Sequence, residues 1–160
     1  MDSIITRKFR DSDLEDIKRI GLTVWKITRY HAEPKLNQKA ADRYWYDMTI
    51  ANCKNEDVVT IVVELDNKVV GFIQLAEKRN LSERFNIKYG SIALIGVDVK
   101  YQGKRIGQRL VGEAVKYFRE NGFVKVDVTT DMNNFSAIRM YEKNGFVVIH
   151  RGLTLTLDIS

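Results

Sequence analysis

The stretch Ser91–Gly107 reads Ser-Ile-Ala-Leu-Ile-Gly-Val-Asp-Val-Lys-Tyr-Gln-Gly-Lys-Arg-Ile-Gly. Its first part, Ser91–Val99, is apolar on both parities, which predicts a strand buried on both faces. After it, Ile106, Leu110, Ala114 and Phe118, with Val111 and Val115, form one apolar stripe at helical spacing, and Asn121-Gly122 ends the helix. Between strand and helix lies Gln102-Gly103-Lys104-Arg105-Ile106-Gly107. Free N–H groups of a helix's first turn favour an anion, and glycines let a phosphate approach the backbone closely. Lys100, Lys104, Arg105 and Arg109 cluster here, and no acid lies between Asp98 and Arg109. The blander reading is an ordinary strand-to-helix turn with solvated lysines. Neither G-x-G-x-x-G nor G-x-x-x-x-G-K-[ST] is present, so the turn is neither a dinucleotide fingerprint nor a P-loop.

Upstream, Ile4–Phe9 reads as a strand, and Ser12-Asp13-Leu14-Glu15 has the spacing of a capping box. The helix it opens carries Leu14, Ile17, Ile20, Gly21 and Val24 and fades near Thr28, before Pro34 breaks the chain. A second helix is expected from about Asn37 to about Ala51. Val58–Leu65 and Val69–Leu75 are β-branched runs around Asp66-Asn67-Lys68, a hairpin pattern, and Lys78–Tyr89 reads as a polar loop. Downstream, Val124, Val126 and Val128 alternate with polar residues as in a half-exposed strand, and a short helix covers about Phe135–Asn144. Phe146–Ile149 and the alternating Leu153–Ile159 are expected as two further strands. The order β-α-α-β-β-β-α-β-α-β-β predicts an α/β (α+β) fold, a mixed central sheet of about seven strands with helices on both faces.

At 160 residues, with 44% apolar, 10% aromatic and 29% charged residues and one proline, the composition is that of one globular domain spanning 1–160, and not of a disordered chain. No apolar run approaches the ~20 residues of a membrane helix. The N-terminus lacks a basic-then-apolar signal pattern, and a single cysteine, Cys53, fits a reducing, cytoplasmic location. Net charge is +5. Residues 1–80 carry 14 Lys/Arg against 13 Asp/Glu, and residues 81–160 carry 12 against 8. The compact basic cluster matches a diphosphate better than the extended, aromatic-interleaved face of a nucleic-acid binder.

A second feature lies downstream: Asn134, Ala137, Tyr141, Gly145 and Phe146. Ala137 and Tyr141 are one helical turn apart, and a tyrosine hydroxyl can act as a general acid. The alternative is a packed core aromatic. Together the two features resemble the GNAT superfamily, the Gcn5-related N-acetyltransferases, over essentially the whole chain. Its acyl-CoA signature, Gln/Arg-x-x-Gly-x-Gly/Ala, maps onto Gln102–Gly107. Its later motif, Asn-x-x-Ala-x-x-x-Tyr-x-x-x-Gly-Phe, maps onto Asn134–Phe146.

The resemblance implies acetyl-CoA as co-substrate, no metal, and transfer of an acetyl group to an amine. It implies that the backbone of Val97 and Val99 pairs with the pantetheine arm. The amides of Gln102, Gly103, Lys104, Arg105, Ile106 and Gly107 would hold the pyrophosphate, with Asn134 lining the pantetheine. It implies that Tyr141 protonates the departing thiolate, that the Val97 amide stabilises the oxyanion, and that Gly96 accommodates the bulge splaying the two central strands. Arg105 departs from the family's first loop glycine, either obstructing the phosphate or adding a charge to it. A second departure is Ser91, where some members carry a catalytic glutamate. Glu77, Asp127 and Asp131 are the nearby acids, and the base stays unassigned. His31, amid Trp25, Tyr30, Tyr44, Trp45 and Tyr46, falls where the acceptor site is usually covered. Cys53 and His150 have no metal-spaced partners. Three acceptor classes stay open: a nucleotide-linked amino sugar, a small amine, and a protein N-terminus or lysine. The rival class is a non-catalytic CoA- or nucleic-acid-binding module. Leu153–Ile159, as an edge strand, could pair across a homodimer.

Overall fold

A computed structural model describes residues 4–24 and 28–157. Its elements are β1 (Ile4–Lys8), α1 (Leu14–Val24), α2 (Gln38–Cys53), β2 (Val58–Leu65), β3 (Lys68–Glu77), α3 (Arg79–Phe85), β4 (Tyr89–Val97), α4 (Ile106–Glu120), β5 (Lys125–Val128) and α5 (Phe135–Glu142). The strands form one sheet in chain order; β1 to β4 are antiparallel neighbours, and β5 runs parallel to β4. The β2–β3 hairpin closes through Asp66 and Asn67, both with positive φ (50° and 62°). A two-residue hairpin turn needs this conformation, and Asp and Asn tolerate it best after glycine.

The sheet is covered on both faces, as the alternation within its strands requires. Ile61, Val63, Ile73, Leu75 and Ile92 pack beneath Ile106, Leu110, Val111, Ala114 and Phe118 of α4 and Tyr141 of α5. On the opposite face Val62, Val69 and Phe72 meet Ile17 and Ile20 of α1. Each fully buried side chain of this size stabilises the fold by about 1.5–3 kcal/mol relative to exposure.

Five expectations are corrected. The sheet has five strands among the described residues, not about seven. Phe146–Ile149 and the described part of Leu153–Ile159 form no strand, and Leu153, Leu155 and Leu157 are 84–89% exposed. Alternation supplies an apolar face, but a strand also needs a neighbouring edge for its backbone groups. Second, the loop expected at Lys78–Tyr89 contains α3. This helix buries none of its residues, so it leaves no apolar stripe to read; it stops at Asn86, which is left-handed at φ 50°. Third, Val99 lies outside the strand, in a single 3₁₀ turn over Val99–Tyr101. Fourth, Asp13 rather than Ser12 closes the entry to α1, its carboxylate accepting the Arg10 amide at 2.8 Å. Fifth, the irregularity between β3 and β4 falls at Ala93, since Gln74 faces Leu94 and Leu75 faces Ile92. Gly96 is instead a close-packing point: a Cβ there would come within 2.7 Å of the Phe72 ring. The end of α1 beyond Val24, including Trp25, and residues 158–160 lie outside the described residues.

Asp13 ties three segments together. It accepts from Arg7 at 2.7 and 2.9 Å, and Arg7 also pairs with Glu64 of β2. Burial alone would raise the Asp13 carboxyl; the Arg7 and Arg10 hydrogen bonds reverse this and hold it below its ordinary value. Asp98 behaves likewise, with burial opposed by the Lys100 amide and Arg19. Folded-state values below the unfolded one give stability that is complete above the unfolded carboxylate value near ~3.9 and lost as pH falls through the lowered values. Scanning calorimetry is therefore expected to show a Tm that drops steeply below about pH 4, with Asp13→Asn lowering Tm at neutral pH and flattening the acid limb. An acid limb unchanged in Asp13→Asn would refute the assignment.

Candidate functional site

β4 pairs with β3 along most of its length, but with β5 only from Tyr89↔Lys125 to Ile92↔Val128. From Ala93 to Val97 its outer edge has no strand beside it among the described residues. That is roughly 17 Å of free edge at about 3.3 Å per residue. The Asp98 amide donates to the Val70 carbonyl on β3 (2.9 Å). Successive residues direct their backbone groups to opposite edges, so the N–H and C=O of Val97 face the opening. The carbonyl accepts from Gln102 Nε2 at 3.3 Å.

The chain leaves this edge through the Val99–Tyr101 turn, which Asp98 caps by accepting the Lys100 amide at 3.0 Å. The Asp98 side chain is 5% exposed and pairs with Arg19 of α1. Arg19 also donates to Asp16 Oδ1 (3.0 Å) and to the Val69 carbonyl (2.9 Å), and Asp16 Oδ2 accepts the Val69 amide (3.0 Å). The turn is thus braced from both α1 and β3. Sequence reading missed Arg19 and Asp98 as a pair because 79 positions separate them and no local pattern links them.

The loop then bends twice through left-handed backbone, at Gly103 (φ 77°) and Arg105 (φ 62°). Arg105 is the N-cap of α4, and no side chain caps that helix start. A non-glycine residue in this conformation costs about 1–2 kcal/mol. This is the physical content of the departure at Arg105: the conformation suited to glycine is kept, and a guanidinium is added at the mouth of the turn. The other cations divide. Lys104 Nζ lies 5.0 Å from the Tyr101 ring centre, beside the loop. Arg109 Nε donates to Thr6 Oγ1 of β1 at 2.7 Å and is drawn away from it.

α5 forms the other wall. Asn134 is its N-cap, accepting the Ala137 amide at 3.2 Å. Gly145 closes the helix at φ 87°, and the Phe146 amide returns to the Tyr141 carbonyl at 3.2 Å. A Cβ on Gly107 would sit 2.6 Å from Met140 Sδ and 3.8 Å from Val97, so Gly107 sets how closely α4, α5 and the end of β4 approach. Tyr141 is 6% exposed, its ring 5.7 Å from that of Phe146. Burial pushes its hydroxyl up to about 12, so it stays protonated at any physiological pH.

Other singled-out residues have structural partners. The Thr28 amide donates to His31 Nδ1 (3.3 Å), and His31 Nε2 lies 2.9 Å from Asp42 Oδ1. Tyr30, Tyr44 and Trp45 form an aromatic cluster with centres 5.2–6.1 Å apart, Tyr44 meeting the other two rings edge-on. Cys53 accepts from Gln74 Nε2 at 3.4 Å and burial pushes its thiol up, the opposite of an activated nucleophile. Among the described residues no three His, Cys, Asp or Glu side chains group as metal ligands, and no helix is long and apolar enough to cross a membrane.

The site is thus an open strand edge that runs into the Gln102–Gly107 turn. The acetyltransferase (GNAT) family profile matches residues 24–146. The chain belongs to the GNAT acetyltransferase family. It is 25% identical over 134 residues to the spore coat polysaccharide biosynthesis protein SpsD of Bacillus subtilis, covering 84% of this chain and 44% of that protein. It is 24% identical over 152 residues to a spermidine N(1)-acetyltransferase of Thermoplasma acidophilum, covering 91% and 89%. The fold superposes on the PaiA N-acetyltransferase of Thermoplasma acidophilum in complex with coenzyme A, with a TM-score of 0.73 at 24% identity over 91% of each chain.

Arg105→Gly is expected to relieve the left-handed backbone and raise unfolding stability by about 0.5–1 kcal/mol, net of glycine's greater unfolded-state entropy. Urea denaturation reads this directly, and a destabilised variant would show that the arginine side chain holds the loop.

Proposed function

We propose that the chain is an acetyl-CoA-dependent N-acetyltransferase that moves the acetyl group to a primary amine by direct attack within a ternary complex. The observation that carries this reading is the unpaired edge of β4 running into an uncapped helix start flanked by Lys104 and Arg105. A ligand with an extended amide-bearing arm and a diphosphate fits both parts. The arm continues the sheet along Val97, and the diphosphate takes the amides of Gln102 to Gly107. Val99 sits in the turn after the strand, so its part is limited to shaping the path.

In this mechanism the amine attacks the thioester carbon, and the Val97 N–H, directed into the opening, stabilises the oxyanion. The intermediate then expels the thiolate beside Tyr141. With the phenol at about 12 and an ordinary thiol near ~8.5, complete proton transfer to sulfur runs uphill. Tyr141 therefore works chiefly as a hydrogen-bond donor to the developing charge, at the low end of general-acid contributions, about 10²-fold.

The acceptor is proposed as a nucleotide-linked amino sugar or a small amine. This is supported by likeness to a polysaccharide-biosynthesis protein and a spermidine acetyltransferase. A protein N-terminus or lysine is the alternative acceptor. The exposed row Leu153, Leu155 and Leu157 is the surface proposed for a homodimer contact.

Two measurements test the reading. Acetyl-CoA is expected to raise Tm by mass action, and Arg105→Ala to weaken its binding by about 1–3 kcal/mol while sparing a pantetheine thioester without phosphates. Equal loss for both ligands would remove Arg105 from the phosphate site. Tyr141→Phe is expected to lower kcat about 10²-fold with unchanged acetyl-CoA affinity, the deficit holding steady across neutral and mildly alkaline pH because the phenol stays protonated there. Parental kcat at every pH would make Tyr141 a packing residue only.

A further inference from the structure

The opening along β4 ends at Val97, and there a side chain of the loop already occupies it. The Asp98 amide donates to the Val70 carbonyl at 2.9 Å, so Asp98 turns its backbone towards β3. Val97, one residue earlier and opposite Gly71, turns its N–H and C=O the other way, into the opening. The Val99–Tyr101 turn then folds the chain back, closed by the Tyr101 amide on the Asp98 carbonyl at 2.8 Å. Gln102 follows with extended backbone (φ −62°, ψ 154°). Its side chain returns to the strand end, where Nε2 donates to the Val97 carbonyl at 3.3 Å.

The place this nitrogen takes is that of a neighbouring strand's own donor. Paired strands lie about 4.8 Å apart and join through N···O distances of about 2.9–3.0 Å. A nitrogen 3.3 Å from an outward-facing carbonyl therefore stands in the strip that the backbone of an added strand would fill. An extended, amide-bearing ligand arm following β4 needs the same strip, so its amide nitrogen and Gln102 Nε2 compete for one position. The existing contact is readily given up. It is longer than the usual N–H···O bond, and Gln102 is exposed, so a released carboxamide is hydrated at once. The loop does not depend on it either. Asp98 and Arg19 brace the turn, and the bends at Gly103 and Arg105 lie in the backbone.

We propose that Gln102 is a gate on the arm site: its side-chain amide holds the Val97 carbonyl in the free chain and yields it to the amide N–H of the ligand's arm. This rests on the acetyltransferase reading above. Opening the gate breaks one hydrogen bond for the one the arm makes, so the arm adds less affinity than it would on a bare edge. The penalty falls equally on acetyl-CoA before the transfer and on CoA after it, and the returning side chain favours release of the product. A ligand with the diphosphate but no arm leaves the gate shut. Until an arm arrives, the end of the open edge is also blocked against pairing with another chain.

The test uses the full chain, isotope-labelled, with the Gln102 side-chain amide resonance assigned from its backbone. Acetyl-CoA and pantetheine, the arm alone, are expected to shift this resonance, and ADP, a diphosphate without the arm, to leave it in place. A resonance that stays put when acetyl-CoA is bound means that the carbonyl is not handed over, and overturns the proposal. Gln102→Met keeps the side-chain length and removes the donor. Calorimetry is expected to show acetyl-CoA and CoA binding this variant about 2–10-fold more tightly, the range of one neutral hydrogen bond, with ADP affinity unchanged. Unchanged or weaker acetyl-CoA binding, or an equal change for ADP, makes Gln102 a loop or phosphate residue and overturns the gate alone. A parent that does not bind acetyl-CoA overturns the gate and the acetyltransferase reading together. If Gln102→Met does not fold, the parent's resonance under the three ligands decides by itself.

Discussion

The constraint on which the rest depends is the early end of the β4–β5 ladder. A strand covered on both faces must place its backbone donors and acceptors somewhere. β4 satisfies one edge against β3, but its outer edge finds β5 only over Tyr89–Ile92. Beyond Ile92 the outward-facing backbone groups have no strand beside them among the described residues, and the Val97 carbonyl is taken by Gln102 Nε2. The opening is therefore produced by pairing that stops, and its depth is set by where it stops.

Holding that edge in place takes packing from both sides. Gly96 lets Phe72 and Ile20 close against one face, and Gly107 lets Met140 close against the other side of the opening. The turn after β4 is fixed by charge: Asp98 caps it, and Arg19 joins Asp98 to α1 and to the Val69 carbonyl. These contacts fix the course of the chain into the loop. The left-handed backbone at Arg105 is part of the same arrangement, since it turns the chain sharply into α4 and leaves that helix start uncapped.

Much of this was legible locally. The apolar stripe of α4, the Asp66-Asn67 turn and the Asn134–Phe146 pattern each state a periodicity or a backbone requirement in adjacent residues. α3 was missed because a short helix with no buried residue leaves no stripe. The C-terminal alternation was over-read, because Leu153, Leu155 and Leu157 have the pattern of a strand without an edge to join.

Sequence by itself determined the family resemblance, the loop–helix junction at Gln102–Gly107, the candidate tyrosine and the helices on both sides of the sheet, because these follow from side-chain period and turn chemistry over a few residues. Tertiary structure alone decided where β5 leaves β4 and which of the basic side chains remain at the loop. Those depend on register between strands and on partners as distant as Arg19 from Asp98 or Arg109 from Thr6, and such distances leave no trace in local pattern.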